Sequence, residues 1–502
     1  MESKARYKVS ILMIVKDEDL YLREFICYYL ALGVDHFFVY DNGSAVPVGE
    51  TLCAYLKYCT VIDFPGVAKQ FEAYNHFIQH HSSETEWVAP IDIDEFIVLK
   101  NEKNIKDFLS RYAHIDCIAM NWRYFGDSFF DKRPEGLVMD HFIFCDEFQN
   151  PHIKNIVKTS AWAECKNAHH LGLKPGSVYS DVKGNAISGP FNENYTIDIV
   201  QVNHYFSKSK EECRLKYARG RASINEKFNV TEETLTSWRN SLNAAKDTFL
   251  RDHFSAKVKV LMEEHRNPVS VLMHIYYKDS IKEFSEKIGG IRRYVETVYI
   301  NLVRENFFEF SDFTFPGNYS LVAAPNKGKD VGGKLVLMER YLLSKSPTKY
   351  LLFLHDKKSP QSPMSSFWSK NLFRIIEPEV IPQIIEIFEK KEDAGIVASS
   401  TYIRNEWNKR KARFDSPNDT ILKELISQYQ LTPGDYNYVA GTMFWCRSIL
   451  FENFLAQHDA LAIVKTLETG NIMDTETASR THAWERMLSW ICTSQNQKIY
   501  GV

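Results

Sequence analysis

The sequence predicts an α/β protein built from two doubly wound domains, and three observations support this fold class. Apolar runs of strand length alternate with amphipathic stretches of helix length, an order typical of βαβ units with a mostly parallel sheet. This alternation occurs before residue 207 and starts again after residue 267. The length of 502 residues also exceeds what one hydrophobic core usually organises.

We therefore expect a first domain at 1–207, a helical connector at 208–266 and a second domain at 267–502. The connector contains the charged, helix-like stretches KSKEECRLKYARGRASINEKF and NAAKDTFLRDHFSAKVKVLMEEH. Its basic run at 214–221 could contact acidic lipid headgroups, or could simply form a solvated helix face.

The elements of the first domain alternate in type along the chain. Strands are expected at KVSILMIV (8–15), DHFFVYDNGS (35–44), CTVIDFPG (59–66) and EWVAPIDIDEFIVL (86–99), and helices at YLREFICYYLALG (21–33), ended by Gly33, and KQFEAYNHFIQHH (69–81). After about residue 115 the pattern becomes more strand-like and richer in loops.

The second domain repeats this rhythm without obvious sequence identity to the first. Strands are expected at 269–276, 295–302, 319–324, 349–354, 394–399 and 437–445, and helices at 332–345 and 378–391. The last residues, QKIYGV, are typical of a strand that has barely ended, which leaves open that the natural chain continues.

Composition excludes several classes of protein. The 44% hydrophobic and 25% charged residues are ordinary for a folded soluble protein, and a net charge of −3 argues against a bulk nucleic-acid binder. Nine scattered cysteines without a CxxC pair indicate reduced thiols in a cytosolic compartment. The N-terminal residues predict a strand and not a signal peptide, and no apolar run approaches the roughly 18 residues of a membrane span.

Two carboxylates follow the apolar run WVAPI at the end of a predicted buried strand. Ligands of open α/β sheets bind outside the carboxyl ends of the strands, where Asp92 and Asp94 are expected. Alternate side chains of an extended segment share a face, so these carboxylates repel unless a cation joins them. Their oxygens suit Mg²⁺ or Mn²⁺, which keep positions open for phosphate oxygens. The alternative is a pair of capping acids in a surface loop.

Three further polar residues follow predicted strands of the first domain. Asp41 and Asn42 end the strand VYDNGS and could bind a base or ribose, although an ordinary Asn-Gly turn explains them equally well. His204 in VNHYFSKSKEE could complete a metal site, or could be a hydrogen-bonded structural histidine.

Several motifs in order, over about residues 8–225, resemble glycosyltransferase family 92. They are IVKDEDLYLREFICYYLALGVDHFFVYDNGS, WVAPIDIDEF, IKNIVK followed by HH, and NHYFSKSKEECRLKYARG. The resemblance implies a GT-A nucleotide-sugar-binding fold and transfer of galactose or a similar sugar from a UDP donor with manganese. It implies that Asp92 and Asp94 hold the metal and diphosphate with His204 as third ligand, and that Asp41 holds the nucleoside. His169 or His170 matches the histidine that follows IVK.

The implied chemistry is a single, inverting displacement in which a carboxylate takes the proton of the acceptor hydroxyl. The sequence leaves the base open between Asp127 and Glu193, which lie in loops that could face the cleft. The segment FGDS departs from the family pattern, in which serine usually stands where Asp127 is found, and this puts a role for Asp127 in doubt.

The second domain has basic instead of acidic residues after the corresponding strand, in KYLLFLHDKKSP. Protonated Lys357 and Lys358 cannot bind a metal, but they can contact a diphosphate directly. Glycines of the segment NKGKDVGG would let the backbone approach a ligand at a helix N-terminus. The predicted nucleotide-binding residues are therefore Asn326, Lys329, Asp330, His355, Lys357 and Lys358. A basic surface turn is the alternative.

The segments NKGKDVGG, HDKKSP, YVAGTMFWCR and THAWERMLSW, over about 268–502, resemble the rhamnan synthesis F family of bacterial polysaccharide enzymes. This resemblance implies a second transferase domain without a bound metal. Glu485 is our candidate base in this domain, with Asp330 as the second candidate and an Arg486-paired structural glutamate as the alternative.

The sequence as a whole predicts a cytoplasmic, bifunctional glycosyltransferase that builds a bacterial surface polysaccharide such as capsule or O-antigen. The expected partners are nucleotide sugars and a lipid-linked or oligosaccharide acceptor, with peripheral membrane association and no nucleic acid. Two alternatives remain open: one active transferase with a glycan-binding second half, and a metal-dependent phosphohydrolase or nucleotidyltransferase that uses Asp92 and Asp94.

Overall fold

The computed structural model describes residues 5–219, 230–307, 315, 317–356, 371–470 and 477–502. The chain divides into two compact units, Met1–His265 and Arg266–Val502. The helices expected between 208 and 266 belong to the first unit. Within it, Phe254 packs its ring 5.1 Å from that of Tyr28, and the Lys257 ammonium donates to the carbonyl of Ala31 at 2.8 Å. Among the described residues, no helix has the length and apolarity needed to cross a membrane.

The first unit contains thirteen strands and eight α-helices among its described residues. The strands are β1 (Tyr7–Val15), β2 (His36–Asp41), β3 (Cys59–Asp63), β4 (Thr85–Pro90), β5 (Glu95–Leu99), β6 (Cys117–Tyr124), β7 (Phe144–Cys145), β8 (Asn150–Lys158), β9 (Trp162–Glu164), β10 (Gly172–Leu173), β11 (Tyr179–Asp181), β12 (Val200–His204) and β13 (Ala245–Lys246). The helices are α1 (Asp19–Leu32), α2 (Val48–Thr51), α3 (Gln70–His80), α4 (Ile105–Arg111), α5 (Val138–His141), α6 (Lys210–Arg219), α7 (Glu232–Leu242) and α8 (Phe249–Glu264).

The second unit contains eleven strands and seven α-helices among its described residues. The strands are β14 (Val269–Ile275), β15 (Val295–Val303), β16 (Tyr319–Ala324), β17 (Tyr350–His355), β18 (Ala394–Ala398), β19 (Ile403–Asn405), β20 (Trp407–Asn408), β21 (Arg413–Phe414), β22 (Asn437–Val439), β23 (Phe444–Arg447) and β24 (Lys498–Gly501). The helices are α9 (Ser280–Gly289), α10 (Lys329–Leu343), α11 (Ile381–Lys390), α12 (Asp419–Gln428), α13 (Ser448–Leu455), α14 (Ala460–Thr466) and α15 (Arg480–Thr493).

Both faces of the first sheet are buried, which explains why β1 reads as a continuous apolar run. Val9, Ile11 and Met13 point into one hydrophobic cluster, whereas Leu12 and Ile14 point into another on the opposite face. The helix that follows ends as the sequence predicts, because Gly33 adopts the left-handed conformation with φ of 100°.

The sheets are mixed, and most of their strand pairs are parallel as the sequence predicts: among the described residues, five of eight pairs in the first sheet and four of six in the second. The first has the order β3-β2-β1-β4-β8-β6-β12-β5, with β11 beside β6. Strand β8 runs antiparallel to β4 and β6, and β5 runs antiparallel to β12. Antiparallel pairs arise here because the chain re-enters the sheet through long loops instead of crossover helices.

Seven strands of the second sheet repeat the order and the directions of the first. Its order is β16-β15-β14-β17-β23-β18-β24, which matches β3-β2-β1-β4-β8-β6-β12 strand for strand. The central strand runs antiparallel to its next neighbour in both sheets, β4 to β8 and β17 to β23. The seventh strand is parallel to the sixth in both, β12 to β6 and β24 to β18. The carboxyl ends of β4 and β17 therefore hold equivalent positions in the two units.

Two expected strands are each divided by a turn. The segment 86–99 forms β4 and β5, because the Glu95 amide donates to the carbonyl of Asp92 at 3.0 Å and closes a turn between them. The segment 437–445 forms β22 and β23, with Gly441 and Thr442 between them at φ of 81° and 51°. Both turns hold polar residues at the carboxyl edge of the sheet.

Candidate functional site

The turn between β4 and β5 separates the side chains of Asp92 and Asp94, which were expected to share one face. Asp92 accepts hydrogen bonds from the Gln70 amide at 3.0 Å and from the Lys154 ammonium at 2.7 Å. Asp94 instead faces His204 and Lys216. The two carboxylates thus contact different groups, because the intervening residues turn instead of remaining extended.

Asp94 meets His204 because β12 pairs antiparallel with β5, in a register that places His204 opposite Glu95. The Nε2 atom of His204 lies 3.5 Å from Asp94 Oδ2, and the Lys216 ammonium of α6 donates to the same oxygen. Burial works against ionisation of Asp94, but Lys216 and His204 hold its pKa well below the usual value. Asp94 is therefore ionised in the folded protein, with the Lys216 ammonium as its counter-charge.

Asp92 belongs to a second group of charges, centred on the fully buried Lys154 of β8. The Lys154 ammonium lies 2.7 Å from Asp92 Oδ2 and 3.1 Å from Oε2 of Glu95, which is also fully buried. Burial raises the pKa of Glu95 to about 8, and Lys154 offsets only part of this effect. Burial would lower the pKa of Lys154, but the two carboxylates raise it, so the ammonium is retained.

Two of the three predicted metal ligands lie together, and their chemistry fits a divalent cation. Asp94 supplies carboxylate oxygen, and the imidazole Nε2 atom of His204 lies 3.5 Å from that oxygen. Mg²⁺ and Mn²⁺ sites commonly use one or two carboxylates and complete their shell with substrate phosphates. No three His, Cys, Asp or Glu side chains in the described part of the chain converge on one point, so Asp92 is not joined to this pair.

The two residues predicted to hold the nucleoside contact backbone groups of the loops after β2 and β3. Asp41 accepts hydrogen bonds from the amides of Ser44 and Val48, both at 2.9 Å. The Asn42 amide donates to the carbonyls of Phe64 and Gly66 at 3.0 and 2.9 Å. Asn42 thereby ties the loop after β2 to the loop after β3, and the role of both residues in nucleoside binding stays a prediction.

The two candidate bases of the first unit differ in their surroundings. Asp127 is 5% exposed, and its oxygens accept from Arg239 at 2.5 Å and Asn243 at 2.7 Å. These contacts favour a structural role that ties the loop after β6 to α7. Glu193 is exposed, and the preceding Asn192 is anchored by a 3.0 Å hydrogen bond to Asp181.

The two histidines expected after IVK point to different neighbours. His169 Nδ1 lies 2.9 Å from the carbonyl of Ile153 and must carry the proton, because a carbonyl only accepts. Burial lowers the pKa of His169 to about 4. His170 stacks on Tyr179 with ring centroids 5.2 Å apart.

In the second unit, the end of β17 contacts the first turn of α10. His355 Nδ1 lies 3.0 Å from the fully buried Lys334 ammonium and 3.6 Å from Asp330 Oδ2. Lys334 also donates to the Thr442 carbonyl at 2.8 Å, and the Thr442 hydroxyl donates to Asp330. Burial opposes ionisation of Asp330, but His355 and Lys334 hold its pKa well below the usual value.

The remaining predicted residues of the second unit surround this cluster. The backbone amide of Asn326 donates a 3.1 Å hydrogen bond to the Glu305 carboxylate, and the Lys329 ammonium lies 3.5 Å from His482 Nε2. Glu485 accepts from the Gly441 amide at 2.6 Å and from Arg486 at 2.7 Å, so it supports the turn that carries Thr442. Lys357 and Lys358 lie outside the described residues.

Four polar residues at these sites were not among the predicted ones. Lys154, Lys216, Gln70 and Lys334 contact the predicted residues directly. Only Lys334 carried an available signal, because it lies among the apolar residues Val331, Leu335 and Met338 of its helix, and a buried lysine is rare without a partner.

Family models match both halves of the chain. Residues 9–247 match glycosyltransferase family 92, and residues 234–497 match rhamnan synthesis protein F. A glycosyltransferase family 92 protein of Oryza sativa subsp. japonica is 26% identical over 184 residues, which are 35% of this chain and 31% of the relative. A second, from Ricinus communis, is 24% identical over 223 residues, which are 42% of this chain and 38% of the relative. The chain spans about a third of the length of these curated relatives.

Among solved structures, residues 1–349 of S. aureus TarS in complex with UDP have 14% sequence identity to this chain and a TM-score of 0.22. The match covers 30% of this chain and 47% of that one.

The rhamnan synthesis model alone matches more than half of the 502 residues. The chain therefore belongs to the rhamnan synthesis protein F family and carries a glycosyltransferase family 92 domain in its first half.

Proposed function

We propose that the chain is a bifunctional glycosyltransferase that transfers sugars from nucleotide-sugar donors to a growing bacterial surface polysaccharide. The first unit uses a UDP-hexose with Mn²⁺ or Mg²⁺, and the second works without a bound metal. The proposed acceptor is lipid-linked or a free oligosaccharide at the cytoplasmic face of the membrane, where the protein associates peripherally. Two transferases on one chain hold the product of one site near the other at high effective concentration.

One observation carries this proposal: both units place buried charged clusters at the carboxyl ends of equivalent strands. The end of β4 carries Asp92 and Asp94 with Lys154 and Lys216, and the end of β17 carries His355 with Lys334 and Asp330. Ligands of open α/β sheets bind at this edge. The shared strand order gives both units the same place for a donor.

In the first unit, Asp94 and His204 would hold the cation. When bound, that cation would neutralise the charge developing on the departing diphosphate. Lys154 keeps Asp92 in a fixed orientation through its 2.7 Å contact. We assign the proton acceptor to Glu193, because its exposed carboxylate is available, whereas the oxygens of Asp127 are engaged by Arg239 and Asn243. The sugar–diphosphate bond breaks as the bond to the acceptor oxygen forms, and the hydroxyl proton moves to Glu193.

In the second unit, positive charge and N–H donors replace the metal. Lys357, Lys358 and Lys329 contact the diphosphate in this proposal. Lys334 balances the charge of Asp330, which follows Lys329 in the chain. The proposed base is Glu485, with Asp330 as the second candidate. Glu485 accepts one hydrogen bond at each carboxylate oxygen, from the Gly441 amide and from Arg486, so a lone pair remains on each oxygen for the proton.

The test measures the linkages formed by the full chain and by one inactivating variant for each unit. A panel of nucleotide sugars is incubated with oligosaccharide acceptors, with and without Mn²⁺, and products are separated by mass spectrometry. We expect Asp94→Ala to remove the Mn²⁺-dependent linkage made by the first unit. We expect Lys334→Met to remove the Mn²⁺-independent linkage made by the second unit. If Lys334→Met leaves every linkage intact, the second unit is not a transferase. If donors are hydrolysed and no acceptor is glycosylated, the hydrolase alternative replaces the proposal.

A further inference from the structure

A continuous strip of rings lies beside Asp94 at the carboxyl edge of the first sheet. We call it the ring strip, and its members in spatial order are Phe191, His152, Trp122, His204, Tyr124 and Phe206. Successive ring centroids are 4.7, 5.1, 4.4, 5.3 and 5.5 Å apart. Because His204 also contacts Asp94, the ring strip passes directly by the charged site.

The backbone pairing of three strands creates this arrangement. Trp122 and Tyr124 are alternate residues of β6 and share a face of the sheet. His204 of β12 pairs with Tyr124, and Phe191 forms a bridge with His152 of β8. The rings are therefore held by the sheet and not by mobile side-chain packing alone.

Partial exposure distinguishes the ring strip from the aromatic core of the same unit. Phe191 is 53% exposed, and His152, Tyr124, His204 and Phe206 are half-buried, whereas core rings such as Phe25 are fully buried. Trp122 is 6% exposed, and no described residue accepts a hydrogen bond from its indole N–H. A buried donor without a partner is destabilising, and the oxygen of a bound ligand would satisfy it.

We propose that the ring strip is the platform for the acceptor of the first unit, and that this acceptor is a neutral, hexose-containing saccharide. This inference rests on the proposed transferase function. The apolar C–H face of a pyranose packs on aromatic rings, while its hydroxyls form hydrogen bonds at the edges. Trp122 Nε1 supplies one donor, and the exposed Glu193 lies two residues from Phe191.

The sheet order separates this platform from the place proposed for the nucleoside. Asp41 ends β2, and the ring strip lies on β8, β6 and β12, with β1 and β4 between them. The turn that carries Asp92 and Asp94 follows β4 and thus lies between the two regions. A donor diphosphate at this turn would have its nucleoside on one side and the acceptor on the other.

The test measures saccharide binding directly, without transfer. Neutral tetrasaccharides of galactose, glucose and rhamnose, and separately UMP, are titrated into the full chain by isothermal calorimetry. We expect Phe191→Ala and Tyr124→Ala to weaken binding of the best tetrasaccharide about five- to tenfold. Phe148→Ala is the matched control, because Phe148 is 74% exposed and lies outside the ring strip, and it should bind as the wild type does.

The inference is overturned if the wild type, Phe191→Ala and Tyr124→Ala bind the tetrasaccharide with equal affinity. It is also overturned if these two variants lose binding of UMP and keep binding of the tetrasaccharide. Asp94→Ala separates this inference from the proposed function, because it should abolish transfer and leave tetrasaccharide binding intact. If no transfer is found in the wild type while binding still depends on Phe191, the ring strip is a saccharide-binding site, but its role as an acceptor platform fails together with the transferase function.

Discussion

The Lys334 ammonium lies 3.0 Å from His355 Nδ1, and this contact fixes the tautomer of the imidazole. An ammonium only donates hydrogen bonds, so Nδ1 must be the acceptor and the proton of neutral His355 must be on Nε2. We predict that ¹⁵N NMR of histidine-labelled protein shows the Nε2–H form for His355, assigned by loss of its signal in His355→Gln.

The matched variants for this prediction are Lys334→Met and Lys334→Arg. Lys334→Met removes the donor and should shift the tautomer ratio, whereas Lys334→Arg keeps a cationic donor and should retain the Nε2–H form. An Nδ1–H signal in the wild type would contradict the assignment.

Asp94 and Asp92 should differ in their effect on metal affinity. Asp94 faces His204 and is a proposed metal ligand, so Asp94→Asn should lower the affinity for Mn²⁺ by more than about 100-fold. Asp92 is not joined to this pair, so Asp92→Asn should act only through neighbouring residues and lower the affinity about 10- to 100-fold. Electron paramagnetic resonance titration with Mn²⁺ and UDP measures both constants. The variant with both Asp92→Ala and Asp94→Ala should remain folded, as measured by circular dichroism. If Asp92→Asn and Asp94→Asn lower the Mn²⁺ affinity equally, the distinction between the two aspartates is wrong.

At pH 9, above the raised pKa of Glu95, Lys154→Met should destabilise the first unit by about 3–5 kcal/mol, because it leaves the buried Glu95 carboxylate without a counter-charge. Asp92 and Glu95 both contact this ammonium, and Glu95 is fully buried. Denaturant unfolding measures the loss. Adding Glu95→Gln to Lys154→Met should restore part of the stability, and a double variant no more stable than Lys154→Met would show that charge is not the cause.

Glu24 should make the stability of the first unit depend on pH. It is 4% exposed, and burial raises its pKa from 4.5 to about 7, although the amides of Val138 and Met139 donate to it. Since the folded pKa is the higher one, its contribution is fully present below about pH 4.5 and is lost as the pH rises through 7. Wild type should lose roughly 3 kcal/mol relative to Glu24→Gln between pH 4.5 and 8, measured by urea unfolding. Parallel profiles would contradict this.

Gly333 allows α10 to approach β14 closely. A Cβ atom at this position would lie 1.9 Å from Nδ1 of His274, so Gly333→Ala should destabilise the second unit by about 1–3 kcal/mol. Gly289→Ala is the control, because a Cβ there meets nothing within 4 Å. Thermal unfolding should separate the two variants, and equal midpoints would show that the helix can shift to accept the methyl group.

The sequence predicted the elements whose signals are local. The apolar runs identified β1, β14 and β17, and Gly33 identified the end of α1. The division of 86–99 by a turn was missed, because the apolar pattern continues on both sides of Asp92 and Asp94.

The partners of the site residues could not be predicted, since they are distant in the chain. Lys154 lies 62 residues from Asp92, Lys216 lies 122 residues from Asp94, and Arg239 lies 112 residues from Asp127. Such contacts depend on strand order and register, which no local pattern encodes.

The repeated strand order also shows what this framework tolerates. The end of one central strand bears an aspartate pair and the end of its counterpart bears a histidine, yet the seven strands around them keep their sequence of neighbours. Each unit keeps this strand order around its own buried apolar cluster, whichever charges stand at the strand ends. The same seven-strand framework therefore accommodates two different sets of charged side chains at its carboxyl edge without a change in strand order.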